Sequence, residues 1–447
     1  MQTLPVPMNN SRVGFHYYPD ANHYREADLN HWLPILKSLN ASWLVLLAPV
    51  DRAIPEDFIK LLVSNGIEPI LQFQLNPANP PLASDLDVLF TAYKSWGAHY
   101  LVLFDRPNMK KTWSSAAWTQ QDLVERFLDR FVPIATQVIS KGLVPVFPPL
   151  EPGGDYWDTT FLKSALDSLI RRGQQQMLDT LVLSAYAHLT EKGLNWGAGG
   201  PERWIGAKPY HTSPDNEDQR GFHIFDWYEA IARTTLHKDV PILLLGVAPQ
   251  AKSEHSKDVS RVLDATWQAQ NYLAIYQLLN KEKVTEPGSV EKTLGPMPDP
   301  IIGCNFYTLC TEPNSKENSF AWYKNETEPA SYVVAIKSWL EKRKITTKTI
   351  LQEQDAATHP IAHYLLLPSY EWGISDWHLE AAKPFIKKHA PTIGFSLAEA
   401  ALAARVTVVG GPQTFTDDDL ADLEKKGCVV ERISGDGTSI ASLLAER

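Results

Sequence analysis

Long hydrophobic runs are missing from the sequence. No segment offers the roughly 18 or more uninterrupted apolar residues of a membrane-spanning helix, so we expect no membrane span. Apolar residues make up 44% and charged residues 21% of the 447 residues, which is typical of a soluble globular protein. The formal net charge is −10 and no Lys/Arg-rich helix is present, which leaves no attraction for phosphate backbones. We therefore expect no nucleic-acid partner.

Cysteine is scarce, and the usual metal and cofactor motifs are missing. Cys304, Cys310 and Cys428 show no CxxC spacing, which argues against a disulfide framework and against a cysteine zinc site. The thirteen His residues form neither HExxH nor His-x-His, and no EF-hand loop is present. Val409-Gly410-Gly411 is a strand-to-turn feature without a GxGxxG or P-loop pattern, and no Gly-x-Ser-x-Gly elbow occurs. We expect no metal and no cofactor.

The first residues, 1–19, lack a charged stretch followed by an apolar stretch and a small-residue cleavage site. We expect no secretory signal in this sequence. Together with the three unpaired cysteines, this favours a reducing compartment, the cytoplasm rather than the cell envelope.

Short apolar runs bounded by Gly, Pro and Asn do recur, with amphipathic helical stretches between them. This pattern predicts parallel strands joined by helices, and eight such units predict a (β/α)₈ TIM barrel. A helix over 331–344 would close the barrel, giving a first domain of residues 1–344. The predicted strands are 12–18, 42–48, 68–74, 99–105, 143–149, 180–187, 241–248 and 300–307.

The remaining segment, 345–447, alternates apolar strands and helices again and predicts a smaller three-layer α/β domain. Thr416 followed by Asp419 predicts a capping box at the start of a helix over 417–426. The other predicted elements are strands at 363–368, 393–396, 406–411 and 428–434, and helices from about 376 and through Ala400.

The barrel segment, about 10–344, resembles clan A glycoside hydrolases. At strand four these enzymes carry Asn-Glu-Pro-Asn, whose Glu is the general acid/base, and this chain reads Phe104-Asp105-Arg106-Pro107-Asn108. At the end of strand seven they carry a nucleophilic Glu, and this chain reads Leu245-Gly246-Val247-Ala248-Pro249. GFHYYPD at the first strand and AWYKNETEPA at 321–330 also resemble the family. The resemblance implies a carbohydrate-directed barrel in which both signature glutamates are missing.

The C-terminal segment resembles the bacterial type 2 cell-wall-binding repeat in 406–437, VTVVGGPQTFTDDDLADLEKKGCVVERISGDG. Such repeats usually occur in sets of three on secreted proteins, and this chain has one. The resemblance favours a location outside the cell, whereas the first residues and the cysteines favour a location inside it. The sequence therefore does not decide between the two compartments.

Carboxylates at strand ends are the candidate catalytic groups, because a barrel of this kind builds its site from the loops at the carboxyl ends of its strands. Glu151, which follows strand five in a Gly/Pro-rich turn, is the first candidate acid; Glu202 and Asp105 are the others. Asp155 and Asp158 are also available. The alternative for Asp105 is an internal ion pair with Arg106, and for each carboxylate a loop-capping role.

Aromatic and polar side chains after the strands are candidate contacts for sugar rings, which present apolar C–H faces and polar edges. Each alone is more often packing, and the expectation rests on their clustering at one rim. The candidate substrate-binding residues are His16, Tyr18, Asn108, Trp113, Tyr156, Trp157, His188, Trp196, Trp204 and Tyr307; His16 is followed by Tyr17, a further aromatic at the same strand end.

These features predict a protein that acts on or binds an oligo- or polysaccharide. It is either a glycosidase with relocated carboxylates or a binding protein that has lost catalysis. The alternative is a structural or assembly protein that uses the barrel as a scaffold and associates with itself.

Overall fold

The computed structural model describes residues 4–250, 264–289, 292–343, 359–370 and 373–446. The chain divides into two compact units, Met1–Leu340 and Glu341–Arg447. The last residue of the helix predicted over 331–344, and the first residues of the predicted second domain, lie outside the described residues. No helix within these described ranges is long and apolar enough to cross a membrane.

The first unit is a closed barrel. In the described part of the chain its sheet has eight strands, all parallel, in the order β5-β4-β3-β2-β1-β8-β7-β6. The two ends of this sheet meet at a parallel bridge between Val146 and Val182, where the Phe147 N–H donates to the Val182 carbonyl at 2.7 Å. The strands are β1 Val13–His16, β2 Trp43–Leu47, β3 Glu68–Leu75, β4 Tyr100–Phe104, β5 Val144–Val146, β6 Leu183–Tyr186, β7 Ile242–Val247 and β8 Ile301–Phe306.

Each strand of the barrel is followed by a helix that packs outside it. The predicted (β/α)₈ fold is confirmed by this alternation and by the closed sheet. The helices are α1 Glu26–Ser38, α2 Glu56–Ser64, α3 Asp87–Ser95, α4 Leu123–Ser140, α5 Asp158–Arg171, α6 Ile224–Leu236, α7 Ala265–Leu279 and α8 331–343.

The alternation of side chains along each strand produces two apolar layers. Leu44 and Leu46 of β2 point outward to the helices, whereas Trp43 and Val45 point into the barrel. The interior cluster is filled by Ile70, Tyr100, Val102, Val144, Val146, Val182, Tyr186, Leu243 and Leu245. These large residues fill the part of the barrel interior between its two ends.

The second unit is a three-layer α/β domain, as predicted. Its parallel sheet has the order β10-β9-β11-β12, with β9 Ile361–Leu366, β10 Thr392–Gly394, β11 Ala403–Val409 and β12 Val429–Ile433. One apolar cluster joins one face of the sheet to α10 Leu397–Ala400 and α11 Asp417–Lys425, and another joins the opposite face to α9 Asp376–His389 and α12 Gly437–Glu446. The predicted capping box of Thr416 and Asp419 is present at α11.

Candidate functional site

A cavity of about 310 Å³ lies at the carboxyl end of the barrel strands. Strand ends from around the barrel contribute to it, as expected for a parallel barrel. The described residues that line it are His16, Tyr18, Pro19, Leu47, Gln72, Gln74, Asp105, Arg106, Tyr186, His188, Gly246, Ala248, Pro249, Gln250, Tyr307, Glu317 and Phe320.

Arg106 is the central cation of this site. It follows β4 in the left-handed region, with φ +45°, and its N–H donates to the Pro149 carbonyl at 3.0 Å. Its Nε lies 2.7 Å from Oε2 of Glu151, and its Nη1 lies 3.5 Å from Oδ2 of Asp105. The ion pair expected between Asp105 and Arg106 is therefore present, and Glu151 makes a second, shorter one.

Tyr186, at the end of β6, completes the surroundings of Arg106. The guanidinium carbon lies 4.2 Å from the centre of the tyrosine ring, a cation–π contact. The hydroxyl donates to Oδ1 of Asp105 at 2.6 Å. Burial, together with the neighbouring charge of Asp105, raises the pKa of Tyr186 well above its ordinary value. The hydroxyl therefore keeps its proton and acts as a donor.

Gly246 occupies the end of β7, where the family resemblance would place a nucleophilic Glu. Its φ is +57°, and a Cβ added there would lie 2.7 Å from Cδ1 of Tyr186. The aromatic ring therefore takes the space that a side chain at position 246 would need.

Two neutral histidines line the cavity beside Gly246. The Gly246 N–H donates to Nε2 of His16 at 3.0 Å. His188 stacks on Tyr186, with ring centres 5.6 Å apart and planes 8° from parallel. Burial, with a smaller contribution from Arg106, lowers the pKa of each histidine to about 3. Nε2 of His188 has no hydrogen-bond partner among the described residues.

Glu151 is held in place by Asn108. The fully buried Asn108 accepts from the Glu151 N–H at 2.9 Å and donates from Nδ2 to the carbonyls of Glu151 and Tyr156, both at 2.9 Å. Gln250 Nε2 donates to Oε1 of Glu151 at 3.3 Å. Glu151 lines an adjoining cavity of about 360 Å³ that shares His188 and Gln250 with the first.

The predicted candidates divide into two groups. His16, Tyr18, Asp105, His188 and Tyr307 line the central cavity, and Glu151 lies at its edge. Asn108 lies beneath the loops and is not among the lining residues. Glu202 is exposed on the short helix Gly200–Arg203 after β6 and lines neither cavity.

The remaining aromatic candidates pack within the loops instead of lining either cavity. The indole N–H groups of Trp113 and Trp204 donate to backbone carbonyls, and that of Trp196 donates to the buried carboxylate of an Asp in its own loop. Tyr156 packs edge-on against a phenylalanine of α5, and Trp157 lies next to Tyr210. The expected single rim of aromatics is thus mainly loop packing, because a position after a strand does not fix the direction of the ring.

Sequence reasoning missed several lining residues. Gln72 and Gln74 are polar residues that follow the apolar run of β3, and Tyr186 ends β6, so these carried a usable signal. Glu317 and Phe320 lie in the 3₁₀ segment Lys316–Phe320 after β8, where no strand pattern marks them. No group of three or more His, Cys, Asp or Glu that could hold a metal occurs within the described ranges.

No protein-family model and no curated protein sequence matches the chain. Among solved structures, it is similar to a monomeric β-xylosidase from Caulobacter crescentus CB15, with 10% identity over 75% of this chain and 69% of that one and a TM-score of 0.44. It is also similar to the GH53 catalytic domain of Ignisphaera aggregans, with 13% identity over 74% and 98% of the two chains and a TM-score of 0.40. The barrel assignment rests on the strand order and closing bridge, and these similarities assign no reaction.

Proposed function

We propose that this protein binds a carbohydrate at the mouth of its barrel and does not hydrolyse it. The observation that carries the proposal is Arg106, which contacts Asp105 and Glu151 together at the end of β4.

The composition of the cavity supports a carbohydrate ligand. Polar residues such as Gln72 and His16 lie in the same cavity as the aromatic residues Tyr18, Tyr307 and Phe320. A sugar presents hydroxyl groups at its edges and C–H groups on its faces, and this mixture suits both. The volume of about 310 Å³ is at the small end of the range for ligand pockets. An open cavity also favours a ligand over a purely structural role.

The engagement of the carboxylates argues against hydrolysis. A retaining mechanism needs two carboxyl groups about 5–5.5 Å apart, one to attack and one to protonate the leaving oxygen. Both oxygens of Asp105 are occupied, by Tyr186 and Arg106, and those of Glu151 are occupied by Arg106 and Gln250. Gly246 supplies no carboxylate at β7.

A glycan array followed by mass spectrometry of the eluted ligand tests the proposal. We expect retention of at least one glycan class and recovery of that glycan intact. Phe320→Ala should weaken retention because it removes an aromatic wall of the cavity, whereas Val88→Ala, an exposed residue of the barrel helix α3, should not. Absence of binding to every glycan would overturn the proposal.

A diverged glycosidase is the second candidate, because Asp105, Glu151 and Glu317 all lie at the mouth. In that case the wild type would release reducing sugar from some glycoside and Glu151→Gln would lose this activity. The resemblance of 406–437 to a cell-wall-binding repeat adds support to a carbohydrate-directed protein, since both units would then address glycans.

A further inference from the structure

The walls of the cavity carry an excess of negative charge. Asp105 and Glu317 are the carboxylates that the described residues contribute to its lining, and Arg106 is the cation. His16 and His188 are neutral there, so they add no positive charge. The adjoining cavity adds one carboxylate, Glu151, and one cation, Arg220.

Glu317 is the carboxylate of this set that lacks a cation. Arg106 contacts Asp105 and Glu151, whereas no described Lys, Arg or His forms an ion pair with Glu317. Its Oε2 accepts from the Ser315 hydroxyl in its own turn. Glu317, Tyr307 and Phe320 all line the same cavity, so this carboxylate and the aromatic wall border one space.

His188 adds a ring nitrogen without a partner. The ring of His188 lines the cavity, and its buried Nε2 atom has no hydrogen-bond partner among the described residues. A buried polar nitrogen without a partner costs free energy. Arg106, the cation of the lining, is already paired with two carboxylates of the protein. The site therefore favours a cationic group on the ligand over a carboxylate or phosphate.

We infer that the carbohydrate bound at the barrel mouth is an amino sugar with a free ammonium group, which pairs with Glu317 beside the aromatic wall. This inference rests on the proposed carbohydrate binding. An ammonium is a cation with three donors and no acceptor, which matches a carboxylate that no described cation pairs with. The rings of Tyr307 and Phe320 add a surface that favours a cation.

Three matched pairs of monosaccharides test the inference without assuming a sugar stereochemistry. Glucose, galactose and mannose are each compared with the corresponding 2-amino sugar by calorimetry at pH 6 and low salt. We expect at least one amino sugar to bind about threefold to fivefold more tightly than its neutral partner, as for a partly exposed ion pair. The gain should shrink with added salt, and N-acetylation should abolish it.

Two variants identify the carboxylate responsible. Glu317→Gln should reduce the affinity for the amino sugar toward that of its neutral partner. Glu312→Gln is the matched control, because Glu312 follows the same strand, is exposed, and does not line the cavity; it should keep the gain. Equal affinity for neutral and amino sugars, or a gain that survives Glu317→Gln, would overturn this inference and leave carbohydrate binding intact. Failure of all six sugars and of the glycan array to bind would overturn the proposed function itself.

Discussion

Arg106 and Gly246 occupy the two positions at which the resemblance to clan A glycoside hydrolases would place glutamates. One position carries a cation that ties two carboxylates together, and the other has no room for a side chain. Each change depends on its neighbours, since the ring of Tyr186 lies against both residues. Arg106, Gly246 and Tyr186 therefore form one set of contacts at the place where the resemblance would put two glutamates.

Gly246→Ala tests this dependence on Tyr186. The new Cβ would lie 2.7 Å from the tyrosine ring, at a φ of +57° that L-residues disfavour, so we expect a loss of about 2–4 kcal/mol in the free energy of unfolding. Gly66→Ala is the control, because Gly66 has a φ of +75° and nothing within 4 Å of an added Cβ. It should cost only about 1 kcal/mol. Equal losses in urea denaturation would show that the contact with Tyr186 is unimportant.

Asn108 lies in the stretch after β4 that resembles the family motif, and its side chain holds two loops together. It links the loop after β4 to the loop after β5, so that Glu151 comes to lie beside Arg106. Sequence reasoning placed Asn108 in the substrate site because hydrogen bonding to a ligand and hydrogen bonding to a loop require the same side chain. Only the direction of the side chain distinguishes them, and the strand pattern does not encode it.

Asn108→Ala should separate these two loops. It removes three hydrogen bonds and leaves a buried backbone N–H of Glu151 without an acceptor, for which we expect a loss of about 3 kcal/mol in unfolding free energy. The exposed Asn22→Ala should change it by less than about 0.5 kcal/mol. Glycan affinity should fall as well. A stability equal to that of Asn22→Ala in denaturant titrations would refute the linking role.

Asp158, the first residue of α5, gives this loop a dependence on pH. It is fully buried and accepts from the Gly153 N–H at 2.8 Å and from Gln219 at 2.6 Å. Burial raises its pKa from 3.8 to about 6, against the opposing effect of these hydrogen bonds. The folded state holds the proton of Asp158 more tightly than the unfolded state does. Protonation of Asp158 therefore makes its full contribution to the free energy of unfolding below about pH 4. It is lost as the pH rises through about 6.

Asp158→Asn should remove this dependence, because an amide keeps the acceptor oxygen and does not titrate. Relative to wild type, we expect the variant to gain about 2–3 kcal/mol in unfolding free energy between pH 4 and pH 7. Asp155→Asn, in the same loop but exposed, should show no such gain. Urea denaturation across this pH range makes the comparison, and a difference between variant and wild type that does not change with pH would refute it.

The sequence predicted the fold of the chain better than it predicted the residues of the site. Strand and helix periods are local, so the order of eight strand–helix units could be read directly, and closure of the barrel followed from their number. The rule that sites form at strand ends selected His16, Asp105 and Tyr307, and these three line one cavity. Glu317 and Phe320 line the same cavity from a loop. The course of that loop depends on tertiary packing, which the repeat of apolar residues in the sequence does not indicate.

At the scale of the whole molecule, each apolar cluster among the described residues belongs to one unit alone. The clusters of the barrel end with Leu340, and those of the second unit begin with Ile361. We therefore expect a chain ending at residue 343 to fold, to keep the thermal transition of the barrel, and to keep the glycan binding of the barrel mouth. A chain ending at residue 320 is the control: it loses α8 and the fully buried Trp322, whose ring packs on Phe15 and Phe306, and should not fold. Loss of folding or binding in the 343-residue chain, measured by calorimetry and glycan array, would show that the barrel depends on the second unit.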